Sequence, residues 1–417
     1  MENGGDHLNL ADMLGFADIA QLTRIADTYR CDCNGHSKHE LIQAILSAIS
    51  RRDVFDAQIN QLPIEDMRFL HSLLFDSREA FSLEELLARI QFSRFDSADA
   101  SASPGPAGRL QAQATAETPG KAKRAARSKN AAKSAEKPAK EPSPRDTVAR
   151  FKHYGWLFNG LSGTNRYLFH VPSDLKERFR EAITRRFAGM IAYTDDPRVY
   201  RDEQALLAED VLHLLQYIAK NDIPITAEGA MYRRNVLQAL EQFGVQEELP
   251  SKGGWRFGYG RRFKEYPDRM AFVYDYCYYK RWISESDLKL ALTEAGFEKL
   301  GSRQLDRPEE LYRFWLRLYR SAVPNLLPAV HWIDRLAGSR WITAESLREA
   351  MLPYIRPFYY DNPKSVFDKR IIGMMLHLGM VRIGEDERTG TVIRMTNAGR
   401  SAVAGVRDLE HDTLPLH

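Results

Sequence analysis

Few residues of this chain have the types and spacing that chemistry needs. Cys31, Cys33, His36 and His39 place four zinc-type ligands within nine residues. Structural zinc closes a loop between two ligand pairs set well apart, and here the pairs adjoin. Ser37 also stands three residues before Glu40, as in a capping box, which puts His39 inside a helix. The run therefore reads as a polar turn, and no metal is expected. The closest approach to a nucleophile elbow, Gly160-Leu161-Ser162-Gly163-Thr164, lacks its final Gly, and His39-Glu40 is followed by Gln43 where a metalloprotease needs a second His. Phosphate transfer needs GxxxxGK[ST]; the one Gly-Lys is Gly120-Lys121, followed by Ala122. Asp195 and Asp196 read as solvated surface groups. The expectation is a protein without catalytic residues or cofactor.

Binding chemistry is better represented. The stretch Ser251–Lys264 carries five basic residues, Lys252, Arg256, Arg261, Arg262 and Lys264, interleaved with Trp255, Phe257, Tyr259 and Phe263 and with no acid. Such cations neutralise phosphates and such rings stack on bases. The alternative is a glycine-rich hairpin whose aromatics are core. Arg233 and Arg234 lie just upstream in a helical pattern. Lys364, Lys369 and Arg370 fall on a second helical segment, and Arg382, Arg388 and Arg394 on the hairpin after it. Glu385-Asp386-Glu387 at that hairpin's tip, with Asp361 and Asp368, would oppose phosphate and suit a protein partner instead.

The 417 residues carry a net charge of +3 that hides a segregation. Residues 1–97 hold 9 Lys/Arg against 16 Asp/Glu, and residues 121–145 hold 9 against 2. Three cysteines, Cys31, Cys33 and Cys277, do not make a disulfide framework. With no signal-type leader and no run of about 18 apolar residues, a cytoplasmic location without membrane contact is expected.

Periodicity gives the elements meant to position these residues. Ile19, Leu22, Ile25 and Ala26, then Leu41, Ile42, Ile45, Ala48 and Ile49, keep helical spacing, and further helices are expected around 64–75 and 83–90. Residues 98–145 lack large apolar side chains and read as a disordered basic linker. Tyr167–Val171 is a strand-type run, followed by a helix from Leu175 to about Phe187. Residues 206–218 form an amphipathic helix. Thr226 would cap a second, and a third would run from about Met231 to Phe243, with a wing in 251–264. Helices near 308–318, 326–336, 344–352 and from Pro363 to Leu378-Gly379 precede a hairpin, Met380–Ile383 and Thr391–Met395, turning at Arg388-Thr389-Gly390. The fold class expected is mainly α and multi-domain, with tandem winged-helix-type modules. The divisions are a small acidic helical domain 1–97, the linker 98–145, a small α/β module 146–202, a helix-turn-helix or winged-helix-like domain 203–304, a winged-helix domain 305–408 and a tail 409–417.

The order of these pieces resembles the amino-terminal non-motor region of XPB-type helicases and their bacterial helicase-associated relatives. Three stretches carry it. They are the module of the SAP sort with Leu22, Ile25, Ala26, Lys38, Leu41 and Ile42; Gly155-Trp156-Leu157-Phe158 with Tyr167-Leu168-Phe169 and Val171-Pro172-Ser173-Asp174-Leu175; and Ile225-Thr226-Ala227-Glu228-Gly229 with Tyr232-Arg233-Arg234. The missing phosphate loop rules out carrying over a motor. The resemblance implies a DNA-associated accessory architecture, helicase- or transcription-linked. The expectation is non-catalytic DNA binding through Arg233, Arg234, Lys252, Arg256, Arg261, Arg262, Lys264, Lys364, Lys369, Arg370 and Arg382. The alternative is a scaffold whose winged helices dock a helicase or other protein.

Overall fold

The computed structural model describes residues 8–33, 35, 37–76, 78–95, 143–160, 165–251 and 256–406. The linker reading of 98–145, apart from its last three residues, lies outside them, as do His36, Ser162, Lys252, Trp255 and the tail 409–417.

Among the described residues the chain is mainly α-helical with three small antiparallel sheets. Six helices open it: α1 (Leu10–Phe16), α2 (Ile19–Thr28), α3 (Lys38–Ser50), α4 (Arg52–Asn60), α5 (Ile64–Leu74) and α6 (Leu83–Ser93). Side-chain caps start four of them: Asn9 and Asp12 form a capping box on α1, and Asp18, Ser37 and Ser82 cap α2, α3 and α6. Leu41, Ile45 and Ile49, four residues apart, make the buried stripe of α3. Ser143 and Asp146 box the start of α7 (Pro144–His153), with Pro144 in its first turn.

The described residues between 8 and 95 pack directly on the described segment that begins at residue 143. Strand β1 (Ala80–Phe81) pairs with β3 (Phe169–His170), which pairs with β2 (Phe158–Asn159). Helix α8 (Ser173–Ala188) receives Leu10 N on Asp174 Oδ1 at 2.9 Å, and Trp156 Nε1 donates to Tyr29 Oη at 3.0 Å. Arg150 bridges α7 to Asp66 of α5 at 2.6 Å.

The remainder twice repeats the order helix, strand, helix, helix, strand, strand. The first run is α9 (Leu206–Lys220), β6 (Ile223–Pro224), α10 (Arg233–Leu240), α11 (Asp268–Tyr279), β7 (Ile283–Ser286) and β8 (Lys289–Leu292), in a sheet ordered β6-β8-β7. After α12 (Glu294–Ser302) and α13 (Pro308–Tyr319) comes the second. It comprises α14 (Leu326–Ala337), β9 (Trp341–Thr343), α15 (Ala344–Met351), α16, β10 (Val381–Asp386) and β11 (Gly390–Met395), and α17 (Asn397–Gly405) follows. Helix α16 runs through Pro363–Ser365, a π-helical Val366–Gly373 and Met374–His377. Its sheet has the matching order β9-β11-β10, widened by β4 (Tyr193–Thr194) beside β9 and β5 (Val199–Arg201) beside β10.

Two local expectations are corrected. No helix starts at Thr226: residues 226–229 make a turn with Gly229 at φ +80°, closed by the bridge Ile225↔Met231. The third helix of that unit is α11, which the 3.6-residue pattern hides because Arg269 to Cys277 are buried on every side. Nor do the described residues of 251–264 form a wing; none of them is a strand, and the hairpin is β7–β8. No helix among the described residues is long and apolar enough to cross a membrane.

Candidate nucleic-acid interface

Segment 256–264 joins α10 to α11 within the first repeated unit, and carboxylates meet its arginines. Asp268, the first residue of α11, accepts from Arg256 and, at 2.6 Å, from Arg370 Nη1 of α16. Asp361 takes Arg370 Nε at 3.1 Å. Arg256 stacks over Phe263 at 4.0 Å, and Arg370 lies 4.6 Å from the same ring. Burial lowers the Arg256 guanidinium, with Asp268 pulling the other way. Arg370 is buried too, yet Asp268, Tyr319 and Asp361 hold it above its ordinary value.

A second node forms on Glu285 of β7. Its carboxylate accepts from Arg261 at 3.1 Å, from Arg262 at 2.6 Å and from Tyr274 Oη at 2.9 Å. Arg262 also donates to Glu228 O at 2.5 Å. Its guanidinium occupies the space that a Cβ on Gly229 would fill. Arg261 stacks on Tyr278 at 3.7 Å. Asp275, buried beneath the segment, accepts from Arg261 N at 2.8 Å, and burial pushes its carboxyl up to about 7.

The structure thus brings Arg256, Arg261, Arg262 and Arg370 together, but around acids and inside packed surface. Arg382 is likewise tied to Asp202 at 2.6 Å, against Tyr200. The aromatic half of the segment divides the same way, with Tyr259 and Phe263 buried in the core. Arg233, Arg234, Lys264, Lys364 and Lys369 are exposed. Lys252 lies outside the described residues. Of the four ligand-type residues near the amino terminus, Cys31 and Cys33 are half-buried and His39 is exposed on α3.

Sequence reasoning missed an exposed aromatic cluster here. Phe358 and Asp361 exchange backbone hydrogen bonds at 2.9 Å each way, leaving Tyr359 and Tyr360 at the tip of a two-residue turn. Tyr359 is 76% exposed, Tyr360 70% and Phe257 40%. Phe257 reaches both rings, at 5.7 and 6.4 Å between centroids. Gly258 at φ +83° allows this, since a Cβ there would strike the Phe358 ring at 2.3 Å. Tyr359 sits at φ +50°, a conformation that a bulky residue rarely adopts. The available signal was the sequence Phe358-Tyr359-Tyr360-Asp361-Asn362-Pro363, a turn preceding a helix start.

No family model, curated protein or solved structure matches this chain.

Proposed function

We propose that this chain is a non-catalytic docking scaffold built on two tandem winged-helix-type units, with a protein rather than DNA as its partner. The repeated order helix, strand, helix, helix, strand, strand, with the first strand beside the last, supports the winged-helix assignment. In such a unit the third helix is the one that enters a major groove. Here α11 is buried almost throughout, and Arg370 of α16 is spent on Asp268 and Asp361.

One observation carries the docking reading: the exposed cluster of Phe257, Tyr359 and Tyr360, with Tyr359 kept in a left-handed conformation at a cost of about 1–2 kcal/mol. Exposed tyrosines in a fixed frame are the anchors that protein interfaces favour. Strain held at a solvent-facing residue points to selection for what that side chain touches.

The test is a photo-crosslinking amino acid placed at Tyr360 of the full chain in its own cells. A discrete protein adduct that survives nuclease treatment and vanishes with Tyr359→Gly is the expected result. Adducts that disappear with nuclease would overturn the reading.

A second reading is favoured by Lys364, which is exposed in the first turn of α16 beyond the tyrosine turn, and by Lys264, Lys369, Arg233 and Arg234, also exposed. These cations and the three rings could carry single-stranded nucleic acid by stacking and phosphate contact.

A further inference from the structure

A cavity of about 1050 Å³ lies away from the surface just described, where α5 and α6 face α14 and the turn after α15. Its volume is at the upper end of small-molecule sites. Its walls are aromatic and aliphatic, with Phe75, Phe92, Trp332 and Tyr354 among them.

Two polar groups on this lining have no hydrogen-bond partner among the described residues: His71 Nε2 and Trp332 Nε1. Both side chains are almost wholly buried. The His71 ring stacks on Tyr354 at 4.5 Å and lies 5.1 Å from Trp332. Both atoms are sealed from solvent, and a buried polar atom left unpaired costs about 1–3 kcal/mol.

The charge around the cavity is unbalanced. Five arginines line it against two carboxylates, Asp76 and Glu85. Those two acids are taken by Arg78 and Arg89. Arg68 donates to the carbonyl oxygens of Pro353 and Ser93. Arg320 and Arg356 are exposed and have no ion pair among the described residues. They leave uncompensated positive charge beside an apolar, aromatic interior.

We infer that this cavity binds a small amphipathic organic anion, its flat apolar body held against Phe92, Leu327 and Pro328 and its carboxylate, sulfonate or phosphate held by Arg320 and Arg356. Charge-assisted hydrogen bonds from guanidinium groups suit such an anion. The site stands independently of the docking surface, which involves other residues.

The experiment uses 8-anilinonaphthalene-1-sulfonate, an aromatic anion that fluoresces when desolvated, titrated into the full chain. Saturable one-to-one binding is expected. Arg320→Glu with Arg356→Glu, both exposed, should weaken it at least about tenfold with an unchanged melting temperature. Ala88→Trp, on the exposed wall of α6 that lines the cavity, should abolish it. Naphthalene-1-sulfonate should displace the probe where 1-naphthol at equal concentration does not. Undiminished affinity in the charge-reversed variant, binding that survives Ala88→Trp, or equal displacement by the neutral naphthol would each overturn the assignment.

Discussion

Arg269 and Asp210 meet where solvent does not reach: Arg269 Nε donates to Asp210 Oδ2 at 2.6 Å, and both side chains are fully buried. The pair ties α11 to α9. Arg269 Nη1 also reaches Glu203 at 2.6 Å, and Glu203 accepts from His377 Nδ1 of α16 at 2.9 Å. Burial alone would raise the Glu203 carboxyl, but His377, Arg269 and Arg201 bring it below its ordinary value. One buried ionic cluster therefore locks the first repeated unit to the third helix of the second.

Removing one partner from such a cluster leaves an uncompensated charge. Arg269→Met is expected to cost about 3–5 kcal/mol, read as a shift in the denaturant midpoint of the full chain. Lys289→Ala, which breaks the exposed pair with Asp222, should leave the midpoint in place. Equal shifts for the two variants would contradict the cluster's role.

Asp275 sets a pH dependence. Its carboxyl rests at about 7 in the folded chain, raised first by burial, against about 3.9 when unfolded. Its contribution is full below the unfolded value and is lost as pH rises from about 4 to 7. His71 and His331 act oppositely, since burial holds both near 3 and their contribution fades as pH falls below about 6.5. Asp275→Asn keeps an acceptor for Arg261 N, so it should exceed the native protein in stability at pH 8 by on the order of 4 kcal/mol and match it at pH 4. Thermal unfolding at the two pH values decides this; a gain at pH 4 instead would show the charge argument to be wrong.

Gly379 follows the end of α16 at φ +66°, and a Cβ there would stand 2.1 Å from Gln204 O. Gly379→Ala should cost more than about 2 kcal/mol, from left-handed strain together with the displaced backbone. A melting temperature within a degree of the native value would mean that the approach of residue 204 to α16 is looser than described.

Tyr359→Gly separates binding from folding. Glycine tolerates φ +50°, so the variant should be as stable as the native chain or more so by about 1 kcal/mol, while the crosslink from position 360 is lost. Destabilisation would place the Tyr359 ring in the fold's own packing.

Much of the helical framework was legible from caps and stripes: Ser37 starts a helix where its spacing to Glu40 says, and a hairpin forms around Arg388-Thr389-Gly390, pairing Val381 with Met395. Helix α11 was not legible, because a helix buried on all sides has no polar face to set a period. Nor was the fate of the arginines. Arg256 and Asp268 lie 12 residues apart, Arg262 and Glu285 lie 23 apart, and Arg382 and Asp202 lie 180 apart. A run of cations identifies a charge but not its partner, and here Arg256 shares Asp268 with Arg370 of the second unit.

The most direct test of that distinction is fluorescence anisotropy of labelled single- and double-stranded 20-mers with the full chain at fixed salt, native against Lys264→Glu, Lys364→Glu and Lys369→Glu combined. All three lysines are exposed, so folding should be preserved. The docking account predicts DNA affinities for the two proteins within about twofold of each other, since no phosphate lies along this face. A loss of tenfold or more with an unchanged melting temperature would contradict it and make the face a nucleic-acid interface.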